Sequence, residues 1–293
     1  MSEAVAEVRR SVDRLYGHRV MRRRAAEVTS ESALRGARAS AALDGANWPL
    51  EEVRRRTDFG ADEDSRTVGG ALRVCAEAGQ LLSIWRHSPL QVLARLHLLA
   101  AGDADDSAGR PRRAGEIPEP LFPLELATAD SVEPHISGGA KSAGSPSAAE
   151  RASDSEPPAA PGAEEVAARL DQLSRLVVAR TEGPGGGAPA LVVAAVVHGE
   201  LLALRPFSSH NGVIARAAQR IVLIAEGLDP KAICPAEVGL AELGTEAYRR
   251  ALEGYVDGTP DGLAAWIAHC GHALRLGVRE STAVCEAMQR GMV

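Results

Sequence analysis

Apolar residues recur at helical spacing along most of the chain, and convincing strand alternation is absent. The pattern predicts a charged helix over residues 2–28. It predicts a second helix, capped by Thr29 and Ser30, that runs to about Leu43 and stops at Gly45. Pro49 fits the first turn of a short helix through Arg56. Further helices are expected over 66–85, despite Gly69 and Gly70, and from Pro89 onward, with Leu90, Leu93, Leu96 and His97 on one face. The pattern resumes over 163–180. Residues 189–203 are apolar nearly all round, which marks a central helix. Helices near 213–226, 244–256, 260–276 and 279–290 complete an all-α fold.

The pattern fails in three places. Residues 102–128 are rich in Asp, Arg, Gly and Pro and suit an irregular loop or short β-hairpin. Residues 129–162 carry almost no large apolar side chains, so burial cannot offset their ordering entropy, and a disordered insertion is expected. Residues 183–187, GPGGG, read as a loop. These breaks suggest an N-terminal helical region over 1–88 and a larger domain over 89–293 that the insertion interrupts.

Composition narrows the picture. Aromatics are 3% of 293 residues against 45% apolar overall, so Ala, Leu and Val must fill the core, which calls for closely packed helices. The net charge of -6 argues against nucleic acid as a main partner. The N-terminal arginines, Arg9 to Arg24, are diluted by Glu3, Glu7, Asp13 and Glu27 and read as a solvated helix face. Cys75, Cys234, Cys270 and Cys285 lack zinc-ligand spacing and suit a reducing cytosol. The first residues lack the apolar block of a signal peptide, and Ala190 to Val197 is too short to span a bilayer. The expectation is therefore a cytoplasmic chain with no membrane or nucleic-acid partner.

One segment carries candidate chemistry. Arg205 to Arg216 reads RPFSSHNGVIAR, between two apolar helices. It resembles the Fic-family motif H-P-F-x-[DE]-G-N-G-R-x-x-R. Pro206, Phe207, Asn211, Gly212 and Arg216 match, whereas Arg205, Ser209, His210 and Val213 depart. His198 stands where the family has a helical His before its motif. Leu96-His97 resembles the family's Leu-His pair, Gly109 to Arg112 its G-x-x-R, and Ala264, Trp266 and Ile267 its closing helix. Ser40 to Gly45, SAALDG, is similar to the inhibitory motif [ST]-x-x-x-E-[GN] with Asp for Glu. These pieces cover most of residues 30–280 and imply a Fic (Fido) helical domain with N-terminal helices and a short hairpin flap.

The resemblance implies AMP transfer from ATP to a protein hydroxyl, with ATP and Mg2+ as the ligands to expect; the residues themselves require no cofactor or metal. The departures fall on the working parts. Arg205 occupies the place of the catalytic His, and a guanidinium that stays protonated cannot be a base. Ser209 replaces the acidic ligand that Mg2+ prefers. Val213 replaces a phosphate-clamping Arg. No catalytic residue is then assigned, with His210 a weak replacement base and otherwise a capping side chain. Asn211, Gly212, Arg205 and Arg216 remain as candidates for holding phosphate or nucleotide at the start of a helix. Asp44 is the resemblance's match for the acid that pairs with the second motif Arg, here Arg216, with Ser40 one turn earlier on the same helix face. The sequence thus favours a Fic-like protein with a degenerate motif that binds or regulates, with a protein partner or a homodimer as the assembly. A divergent nucleotidyl or phosphate transferase and a ligand-free helical scaffold are the alternatives.

Overall fold

The computed structural model describes residues 2–102, 105–122, 160–182 and 187–292. Most of the insertion expected over 129–162 lies outside the described residues. Twelve helices and no strand occur among the described residues. They are α1 (Ser2–Tyr16), α2 (Met21–Leu43), α3 (Leu50–Arg55), α4 (Glu63–Glu77), α5 (Leu82–Trp85), α6 (Pro89–Ala101), α7 (Ala163–Glu182), α8 (Ala190–Leu204), α9 (Asn211–Ala225), α10 (Ala236–Leu243), α11 (Thr245–Val256) and α12 (Pro260–Gln289).

The all-α expectation holds, and α8 is central as its apolar circumference requires. Ten of its side chains, from Leu191 to Leu204, are buried, and every residue of α9 from Asn211 to Ile224 is buried. The α8–α9 hairpin is wrapped by α12 and α11 on the α8 side and by α6, α2 and α4 on the α9 side. The loop between them is thereby held by a rigid centre.

Several boundaries differ from expectation. The first helix breaks at Gly17, and α2 starts at Met21, with non-helical backbone at Arg24. Thr29 and Ser30 cap nothing: Ser30 donates back to Ala26 O at 3.0 Å and Thr29 to Lys231 O at 2.9 Å, so the helix runs through them. Gly45 does stop α2, with φ 99° and N–H groups of Gly45 and Ala46 closing on Ala42 O and Ala41 O. Leu90 is 40% exposed while Leu93, Leu96 and His97 are buried. Residues 260–289 form one helix, and beside Gly277 the Pro235 carbonyl packs so closely that a Cβ there would lie 2.5 Å from its oxygen. The eight-residue α10, buried under that helix, has no clear periodic signal and was not expected. The hairpin expected within 102–128 is a run of turns over 105–122.

Candidate functional site

The loop between α8 and α9 is fixed from inside. Arg205 closes α8 at φ 44°, its N–H on Leu201 O at 3.0 Å. His210 precedes α9 at φ 58° and makes no side-chain cap. Left-handed backbone at two non-glycine residues is uncommon and needs a surrounding structure that enforces it. Asn211 supplies part of that. It is already helical, so its amide reaches back across the loop instead of capping: Oδ1 accepts from Phe207 N–H at 3.0 Å and Nδ2 donates to Phe207 O at 2.8 Å. Phe207 in turn stacks on His97, ring centroids 4.3 Å apart.

Residues 105–122 strap this loop. Arg112 N–H donates to Pro206 O and Glu119 N–H to Ser208 O, both at 2.8 Å. The Arg112 guanidinium donates to Arg205 O at 2.8 Å and Leu204 O at 3.3 Å, the last carbonyls of α8, which a helix leaves without internal partners. Arg205 is half-buried, and burial together with the nearby Arg112 charge lowers its pKa from the usual arginine value.

Arg216 is buried and engaged on every side. Its Nε donates to Ser40 Oγ at 2.8 Å, and Nη2 donates to Ser40 O at 3.0 Å and Asp44 Oδ1 at 2.7 Å. Tyr248 adds a hydrogen bond. Burial opposes the charge, but Asp44 and Tyr248 outweigh it and raise the pKa. Because Arg216 only donates, the Tyr248 hydroxyl accepts from it and donates onward to His198 Nε2. His198 is then a neutral core imidazole, its pKa held well below 6.5 by burial and by Arg216. Asp44 lies over the first turn of α9: a Cβ on Gly212 would meet Asp44 Oδ1 at 2.6 Å and Arg216 Nη1 at 2.9 Å.

A cavity of about 720 Å3 opens on this loop. Ser208 to Gly212 form its floor, and Asp44, Glu63, Arg66, Asp105 and Glu119 contribute the charges of its wall. Four carboxylates thus face one guanidinium. Of the candidate anion ligands, Asn211 and Gly212 line the cavity, whereas Arg205 and Arg216 do not. Gly45 terminates α2 beside the site without lining it. The sequence reading missed Glu63, Arg66, Asp105 and Glu119, which come from α4 and the strap and carry no motif.

His97, Ser209 and His210 form one directional chain. Gly109 N–H donates to His97 Nδ1 at 3.0 Å. That bond leaves the proton of neutral His97 on Nε2, which donates to Ser209 Oγ at 3.2 Å. The Ser209 hydroxyl lies 2.8 Å from His210 Nδ1 and donates to it in the Nε2–H tautomer of His210. Burial first, and His210 second, lower the His97 pKa to about 4, so it is neutral near pH 7. Ser107 donates to Asp105 Oδ1 from both N–H and O–H, and this lowers the Asp105 pKa; both imidazoles act on the same carboxylate.

The chain is an all-α domain with a central helical hairpin, a strapped loop at its turn and an acid-bearing N-terminal helix over that loop. No protein-family model matches the sequence, and no curated protein matches it. Solved structures do: the chain has the fold of Fic-family proteins. A Fic family protein from Desulfovibrio desulfuricans aligns with a TM-score of 0.65 at 18% identity, over 97% of this chain and 75% of the other. Fic-1 from C. elegans aligns at 0.61 and 14%, over 96% and 71%. A Fic domain containing signaling protein from Bacteroides thetaiotaomicron aligns at 0.59 and 11%, over 97% and 98%. Among the described residues no helix is long and apolar enough to cross a membrane.

Proposed function

We propose that this chain is a Fic-fold protein that does not transfer AMP and acts instead as a binding or regulatory module, on a protein partner or a second copy of itself. The observation that carries this reading is the Asp44–Arg216 pair lying over Gly212, where an anion would approach the start of α9. A carboxylate already sits there and already holds the Arg216 guanidinium. Other features agree. The residue in the base position is a guanidinium, which cannot accept a proton near neutral pH. Val213 is a buried apolar side chain, and Ser209 offers a neutral oxygen already bonded to two imidazoles.

ATP–Mg2+ does not suit this donor set. Unit charges 4 Å apart interact by about 1 kcal/mol in water and by several times that near a protein surface. A polyphosphate would meet Asp44, Glu63, Asp105 and Glu119 with Arg66 as the opposing charge on the wall. The same wall counts against phosphoryl or nucleotidyl transfer from ATP by His210.

Incubation of the purified chain with millimolar ATP and Mg2+, read by intact mass, is expected to give no AMP adduct on itself or on co-purifying protein. Calorimetric titration with ATP is expected to give no heat for the wild type. An AMP adduct on the wild type overturns the reading. Binding that appears in Asp44→Ala alone would assign the block to Asp44 and leave the loop able to hold nucleotide.

A further inference from the structure

The loss of the family's base leaves unexplained why a serine on the cavity floor is held between two imidazoles. Ser209 Oγ receives a hydrogen bond from His97, a direction imposed by the Gly109 backbone N–H, which can only donate, and it lies 2.8 Å from His210 Nδ1, to which it gives its own proton when the His210 proton is on Nε2. A hydroxyl within 2.8 Å of an imidazole nitrogen has a base within hydrogen-bond reach, the first requirement for an activated nucleophile. Asp105 supplies negative charge near both imidazoles. Ser209, His210 and Asp105 all border the 720 Å3 cavity. The residues are also fixed in place: His210 by its left-handed backbone, His97 by stacking on Phe207, and Phe207 by the Asn211 amide.

We propose that Ser209 and His210 form a nucleophile–base pair that cleaves carboxylic esters, acting on neutral or cationic acyl substrates. The wall carboxylates select against anionic ones. Ser209 Oγ bonds to the acyl carbon and its proton passes to His210 Nδ1. The acyl carbon–oxygen bond breaks, and the departing alkoxide takes that proton. Water then attacks the acyl–Ser209 ester with His210 again as base, and the carboxylic acid leaves. This chemistry uses no part of AMP transfer, so it stands or falls separately from the reading above.

The probe is p-nitrophenyl acetate, added to the full chain, with release of nitrophenolate followed by absorbance and the acetylated peptide mapped by mass spectrometry after acid quench. The acetyl group is expected on Ser209 and not on the neighbouring Ser208 or Ser107. His210→Gln is expected to slow acetylation at Ser209 by about 10²- to 10⁴-fold. Ser209→Ala should abolish the adduct while circular dichroism stays helical. The idea is overturned if folded wild type carries no acetyl at Ser209, if Ser208 is modified equally fast, or if His210→Gln leaves the rate unchanged. Mapping on the wild type decides the matter even where a variant fails to fold.

Discussion

At the scale of single residues, the contrast between ion pairs is decided by burial. Arg216 has 1% of its side chain exposed and Asp44 18%. Removing Asp44 leaves a buried guanidinium with neutral partners, a change that costs about 3 kcal/mol or more when a buried pair loses one member. Asp44→Ala is therefore expected to lower the unfolding free energy by about 3 kcal/mol in denaturant titration. Asp171 pairs with Arg175 on α7 with both side chains more than half exposed. Such pairs contribute about 0–1 kcal/mol, so Asp171→Ala should be close to neutral. A small effect for Asp44→Ala would mean that Ser40 and Tyr248 satisfy Arg216 by themselves. The Asp44–Arg216 pair was legible as a match of motifs; its closure despite the shorter acid was not, because reach depends on how closely α2 approaches α9.

At the scale of elements, this is a protein of close helix contacts. With few aromatics, the core fills by bringing backbones together. A Cβ on Gly70 of α4 would sit 2.4 Å from the Ala100 carbonyl of α6, and one on Gly239 of α10 would sit 2.0 Å from the Ala273 carbonyl of α12. Backbone cannot swing aside as a flexible side chain can. Gly239→Ala gains about 1 kcal/mol in helix propensity but must push α10 off α12, and overpacking of this kind costs about 1–3 kcal/mol, occasionally more. A net loss of stability is expected, with a lower thermal midpoint by calorimetry. An unchanged or raised midpoint would show that α10 is loosely held. Gly79, by contrast, has open space around its Cβ position, and Gly79→Ala is expected to show no such loss.

At the scale of the whole molecule, buried histidines set the response to acid. Burial lowers the pKa of His97 and of His269 to about 4, and holds that of His198 well below its usual 6.5. Each is neutral when folded. Between about pH 6.5 and 4 the unfolded chain binds protons that the folded chain does not, so stability falls as pH falls through that window and is fully present above it. The denaturant midpoint should hold steady from about pH 8 to 7 and drop steadily towards pH 4.5. His269 packs beside both Tyr248 and Trp266, ring centroids 5.8 and 6.1 Å away, with Nε2 buried and without a hydrogen-bond partner. His269→Phe should flatten the slope. A midpoint independent of pH across this window would contradict the assignment of these imidazoles as neutral core groups.

The sequence by itself determined the helical class, the central place of α8, the stop at Gly45 and the position of the loop, because each is written in local periodicity, local backbone preference or a contiguous motif. The family resemblance also matched Asp44 to Arg216, with Ser40 one turn earlier on the Asp44 face; that Ser40 too bonds Arg216 came from the structure. Tertiary structure decided the rest. Whether Gly277 ends a helix or admits a neighbouring carbonyl depends on what packs there, so residues 260–289 read as two helices and fold as one. Asn211, read as a candidate anion ligand, ties its amide to the Phe207 backbone, because the loop's path brings that backbone within reach. Glu63, Arg66, Asp105 and Glu119 meet at the cavity from segments far apart in the chain, and the His97–Ser209–His210 chain joins α6 to the motif loop. Such charges and hydrogen bonds have no signature in local pattern; only the packing of the helices brings them to one place.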